Sequence, residues 1–283
     1  MKLIFGGARG TSPVAAADFL EFGGETTAAL VTGLGGENIV LDAGTGLRLV
    51  NARLGPATPG AQILLLLTHY HLDHLMGLPF FEPLYSKLWS VEIAAPLREG
   101  VTAENAVHRM LAKPFWPVQL DSLRAHVSLT TLPADAEPPR RYGGLEVRWC
   151  AVHHPEGCHA YRIDEPATGA SLVFATDMEW SLATATEKNA FFRLCAHPQP
   201  VRLLIMDGQF TRANYAKYKG WGHSTWEDGV DVARAALVRR LLITHHAPHN
   251  NDTRLNAIER AVQQALPQAA LARGGLEEVR LDE

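Results

Sequence analysis

The stretch that most restricts this chain is "QILLLLTHYHLDH", residues 62–74. A continuous apolar run of strand length, too short to span a bilayer, predicts a β-strand buried on both faces. The run stops at Thr68 and passes directly into His69, His71, Asp73 and His74. Packing gives no reason for this ending. Imidazoles and a carboxylate at the rim of a core need hydrogen-bond partners or a metal. Four donors in the pattern H-x-H-x-D-H exceed what one zinc ion takes from a single segment. His69 and His71 share one side of an extended turn by their period of two, and Asp73 and His74 point elsewhere. That arrangement suits two metals a few ångströms apart, completed by residues from other strand ends.

The rest of the chain supplies such ends. "KLIFGG", "TAALVTG", "NIVLDAG", "GLEVRWCAVHH", "HAYRID", "SLVFATD", "VRLLIMDG" and "RRLLITHH" read as further strands. Several of them finish in a polar residue able to bind metal: Asp42, His154, Asp177, Asp207 and His245. Helical spacing marks "GTGLRLVNARL" and "AENAVHRMLAK", the latter stopped by Pro114. "STWEDGVDVARAALVRR" reads as a helix with Ser224 at the N-cap and Glu227 three residues on, and "DTRLNAIERAVQQAL" as a C-terminal helix capped by Asp252. The stretch 133–144, "PADAEPPRRYGG", reads as a surface connection. Two β-rich halves with helices predict two sheets packed face to face with helices outside. No linker divides residues 1–283, so one domain is expected.

Composition narrows the partners. A formal charge of −4 gives no general attraction to nucleic acid or to an anionic membrane. Cys150, Cys158 and Cys195 do not suggest a disulfide framework, "MKLIFGGARG" is too short an apolar run for a signal peptide, and a cytoplasmic location is expected.

The motif "THYHLDH" resembles the signature of the metallo-β-lactamase-fold hydrolases, and the later His, Asp and His follow in that family's order. The resemblance covers nearly the whole chain and implies an α/β, αββα four-layer sandwich. It also implies two divalent metal ions, zinc or alternatively manganese. Carried over, one metal takes His69, His71 and His154, the other takes Asp73, His74 and His245, and Asp177 bridges both. His153 competes with His154, and His246 with His245. The resemblance favours His154, just before the Pro155 turn, and His245, directly after its strand.

"MDGQFT" followed by "YKGWGHSTWED" resembles the ribonuclease Z and phosphoribosyl cyclic phosphodiesterase branch, in which the histidine of "GHST" reaches the active site. This implies a catalytic His223 oriented by Asp207, with Asp73 counted among the catalytic carboxylates. Cleaving a phosphodiester expels an alkoxide, and a placed imidazolium can protonate it. Asp42 is expected to accept a hydrogen bond from a ligand imidazole. Arg9 is expected to meet either a phosphate or a surface carboxylate. His108, His126 and His197 read as ordinary surface or helix residues. Ribonuclease Z carries a basic arm for transfer RNA. Within 78–120 this chain has instead the aromatic and proline-rich "KPFWPV", which reads as a pocket wall. The expected substrate is therefore a small phosphodiester, cyclic by preference. An RNA-processing nuclease and a non-catalytic metal-dependent carrier or sensor are the alternatives, and a homodimer stays open.

Overall fold

A computed structural model describes residues 1–134, 138–275 and 278–281. The N-terminal half forms β1 (Lys2–Gly7), β2 (Ala28–Thr32), β3 (Asn38–Leu41), β4 (Ala61–Leu66), β5 (Trp89–Pro96) and β6 (His126–Leu132). The C-terminal half forms β7 (Arg140–Tyr142), β8 (Leu145–Val152), β9 (Cys158–Glu165), β10 (Ala170–Ala175), β11 (Leu203–Asp207), β12 (Arg240–Thr244) and β13 (Ala269–Leu271). A last strand, β14 (Glu278–Arg280), returns to the first sheet beside β1. The sheet orders are β14-β1-β2-β3-β4-β5-β6 and β13-β12-β11-β10-β9-β8-β7. The helices are α1 (Leu47–Asn51), α2 (Ala103–Met110), α3 (Ala185–Ala196), α4 (Arg212–Tyr215), α5 (Trp226–Ala235) and α6 (Asp252–Ala265).

Side-chain alternation explains the layers. On β4, Leu64 and Leu66 face the second sheet, where Val147, Tyr161, Ile163 and Phe174 meet them. Ile63 and Leu65 face the other way, against Leu47 and Val50 of α1 and Val107 of α2. The far face of the second sheet, including Val173 and Leu204, packs on Phe191 of α3, Val230 of α5 and Val262 of α6. The result is the expected αββα sandwich. β4 is central and paired in parallel with β3 and β5, which is why it reads as a continuous apolar run.

Three local expectations are corrected. The N-cap of α5 is Thr225, whose side chain accepts from the Asp228 N–H in a capping box. Ser224 is drawn one position back by tertiary bonds, donating to the Met178 carbonyl and accepting from the Trp180 N–H. Asn251, not Asp252, caps α6, because Asp252 is taken up by the Glu21 and Phe22 N–H groups. Residues 140–142 of the supposed surface connection form β7, hairpinned onto β8, while 135–137 lie outside the described residues. Among the described residues no helix is long and apolar enough to cross a membrane.

The capping box predicts a measurable loss. Thr225→Ala leaves an orphan N–H at the start of α5 and should lower stability by about 1 kcal/mol. A urea midpoint that falls at unchanged slope shows this, and an unmoved midpoint would show that α5 is held by packing alone.

Candidate metal centre

The site is built at the strand ends. β4 runs through Leu67 and Thr68 into His69 and His71, and a short turn at Leu72–His74 carries Asp73 and His74. Asp42 after β3, Asp177 after β10 and His245 after β12 all have positive φ, at 59°, 54° and 61°. A non-glycine residue in that region costs about 1 kcal/mol or more, so the surrounding structure must enforce it. Each reversal turns a side chain off the strand end and into one cluster.

Two groups of ligand atoms result. The atoms of His69, His71 and His154 lie within 4.8 Å of one another, as do those of Asp73, His74, Asp177 and His245. Asp177 faces both groups. Its Oδ1 is 3.8 Å from His69 Nε2, and its Oδ2 is 3.1 Å from His74 Nε2 and 3.2 Å from His245 Nε2. Asp73 Oδ2 lies 3.3 Å from each of the same two nitrogens. His154 donates from Nδ1 to the Gly222 carbonyl at 2.9 Å, which leaves Nε2 for the cluster, 3.2 Å from His71 Nδ1.

The electrostatics favour positive charge here. Asp42, Asp73 and Asp177 are all buried. His74 Nδ1 is 2.8 Å from Asp42 Oδ2, and Asp42 also accepts from the Thr68 N–H at 2.7 Å. Burial pulls the His74 pKa down, but Asp177, Asp73 and Asp42 outweigh it and hold His74 well above the usual imidazole range. Burial pushes Asp177 up, yet His245, His74 and His69 hold it well below the carboxylate range. Burial, then neighbouring His74, holds His69 well down, and burial lowers His154 to about 4. The Nε2 atoms of His69 and His74 are buried without a hydrogen-bond partner. The neutral imidazoles of His69 and His154 and the carboxylates of Asp73 and Asp177, aimed at common points, are a donor set that fits divalent metal.

His223 sits at the edge of this cluster, on the loop between α4 and α5. Its Nδ1 is 2.8 Å from Asp207 Oδ2 at the end of β11 and 3.9 Å from Asp177 Oδ1. Burial lowers its pKa, but Asp207 outweighs that and raises it to about 9. Its ring stacks on His245 with centroids 4.7 Å apart.

The competing histidines lie outside the cluster. His153 faces Glu187 of α3 at 3.7 Å, and His246 Nε2 bonds the Ala272 carbonyl at 2.8 Å. Arg9 corrects its expectation. It is fully buried rather than at the surface and donates to the carbonyls of Gly23, Ala247 and Asn250. Two residues were missed. Arg98 donates to His159 Nδ1 at 2.7 Å beside the cluster. Glu179 is buried and accepts from the N–H groups of Gly220 at 2.7 Å and Gly222 at 2.8 Å, and from the Tyr215 hydroxyl. The only signal for Glu179 was its place two residues after Asp177 in "TDMEW".

Glu179 thus anchors the loop that presents His223. Truncating it strands the buried Gly222 N–H and frees the Gly220 N–H, and Glu179→Ala should destabilise the fold by about 1–2 kcal/mol. A urea titration measures this, and a loss under about 0.5 kcal/mol would show that the loop holds itself.

Comparison with known proteins places this geometry. Ribonuclease Z of Lachnospira eligens is 22% identical over 270 residues, covering 80% of this chain and 83% of that protein. The short form of human tRNase Z has the same fold, with a TM-score of 0.68 at 19% identity over 99% of both chains. A diphosphatase of the PhnP family matches with a TM-score of 0.68 at 17% identity, over 99% of this chain and 97% of that one. The model of the beta-lactamase superfamily domain matches residues 37–246, a span that takes in both ligand groups and His223. The chain belongs to that superfamily.

Proposed function

We propose that this protein is a phosphodiesterase dependent on two divalent metal ions, acting on a small phosphodiester, a cyclic one by preference. The observation that carries the reading is Asp177, which turns one carboxylate oxygen to each ligand group while His223, paired with Asp207, stands beside it. Under this reading His69, His71 and His154 hold one ion, Asp73, His74 and His245 hold the other, and Asp177 bridges. Five imidazoles and two carboxylates suit zinc, with manganese the alternative. When bound, such a pair of ions supplies Lewis acidity that activates water and neutralises phosphate charge.

The chain's own residues supply the remaining chemistry. Asp42 fixes His74 with Nε2 turned to the cluster, and the Gly222 carbonyl does the same for His154. Asp207 holds His223 by Nδ1, which leaves Nε2 to carry the proton given to the departing alkoxide. The Asp207 carboxylate raises the His223 pKa and so favours keeping that proton in place. A nuclease reading draws on the relatives named ribonuclease Z. The formal charge of −4 and the apolar segment over α2 favour a compact substrate over a polyanion.

Metal analysis tests the ligand set. Protein loaded with excess zinc and desalted should retain two ions per chain, and Asp177→Ala should lose more metal than His153→Ala. A stoichiometry that stays at one overturns the bridged pair.

Turnover tests the acid. His223→Ala should impair alkyl diesters far more than 4-nitrophenyl diesters, because 4-nitrophenolate departs with little help from a proton. The protonated form is the active one, so activity on alkyl diesters should fall as pH rises through the His223 pKa. Asp207→Asn removes the charge that raises that pKa and should move the fall to lower pH. Equal losses across the leaving-group series would assign His223 to structure, and no turnover of any diester would favour the carrier reading.

A further inference from the structure

The His and Asp cluster reaches solvent at His71. His71 has 41% of its side chain exposed, whereas the other ligand candidates are buried. At that opening His71 Nε2 lies 3.8 Å from Glu156 Oε2. Glu156 and both neighbours of His71, Tyr70 and Leu72, line a cavity of about 540 Å³. This volume is in the range that holds one sizeable organic group.

The lining defines the occupant. Leu72 and Leu75 form one wall, and Val101, Met110 and Phe115, on and around α2, form the other. Leu72 and Phe115 are 61% and 81% exposed, which is unusual for large apolar side chains beside a polar centre. The charged lining residues are two of each sign, Arg98 and Arg109 against Glu99 and Glu156, so the cavity has no net charge with which to select an ion. A diester with only methyl or sugar arms would leave these walls in water.

We propose that this cavity receives the organic group that the phosphodiester carries, one arm of a linear diester or a substituent of a cyclic one, and that this group is uncharged, apolar and of aryl size. The inference rests on the phosphodiester reading for the place of the phosphate, at the cluster beside His71. The cavity then acts as the specificity pocket, and α2 with the following Pro114–Pro117 segment is its outer wall.

Equilibrium binding tests the pocket without relying on turnover. 2-Naphthyl methyl phosphate and dimethyl phosphate are titrated into metal-loaded protein by calorimetry. The naphthyl ester should bind at least about tenfold tighter, because only it buries apolar surface. The double variant Met110→Gln, Phe115→Ala keeps the site but makes one wall polar and removes the outer one. It should lose most of that preference while its affinity for dimethyl phosphate and its metal content stay unchanged, with only a modest fall in its urea midpoint because Met110 packs on the core. No preference in the parent protein, or a preference that survives the double variant, overturns the proposal. If the preference holds but no diester is hydrolysed, the phosphodiesterase reading fails and the pocket stands. If diesters are hydrolysed without a preference, the pocket alone fails.

Discussion

Three carboxylates buried together, Asp42, Asp73 and Asp177, are the constraint on which the site depends. Like charges out of water repel, and each would rather be protonated than ionised. Hydrogen bonds relieve part of this, as where Thr68 donates to Asp42 and the Thr11 N–H donates to Asp73. The rest must come from positive charge. The surrounding imidazoles can supply it as protons, which is why His74 is held so far above its usual range. Divalent cations would supply it better, since they would leave the imidazoles neutral and could draw on the ring nitrogens of His69 and His74. The density of histidine after β4 follows from the carboxylates as much as the reverse.

Such a cluster needs rigid support, because its strained backbone would relax if it could. The reversals at Asp42, Asp177 and His245 hang from parallel-paired strands of both sheets. Tyr161 on β9 donates its hydroxyl to the Leu67 carbonyl at 2.6 Å, and the His159 N–H donates to the Thr68 carbonyl at 3.0 Å. These bonds tie the second sheet to the end of β4 just before His69. Both halves of the chain therefore meet at the place where their donors meet.

Much of this was legible in the sequence because its signals are periodic or dense. The alternation of Leu64 and Leu66 against Ile63 and Leu65 fixes a strand between two layers, and H-x-H-x-D-H is too crowded with donors to be surface. What was not legible depended on tertiary partners. Ser224 reads as an N-cap, but its hydroxyl is used by Met178 and Trp180, and the cap moves to Thr225. Arg9 reads as a partner for a phosphate or a surface carboxylate, yet it closes carbonyls from two distant segments, Gly23 and the Ala247–Asn250 turn. β5, β6 and α3 have weaker patterns and went unread. Glu179 looks like a surface acid until the loop it holds is seen.

That loop joins the two functions of the site into one. Gly222 takes φ of 91°, and a Cβ there would lie 2.2 Å from His154 Nδ1, so only glycine fits. Its carbonyl accepts from His154, its N–H donates to Glu179, and the next residue is His223, held by Asp207. A movement of this segment would shift the ring of His154 and the ring of His223 together, the ligand and the acid of the proposed reaction. Conversely, a metal ion drawing on His154 Nε2 would stiffen the Nδ1 bond to Gly222 and so steady His223. The carboxylate of Glu179, which holds the Gly220 and Gly222 N–H groups, would be the point through which such a coupling is set.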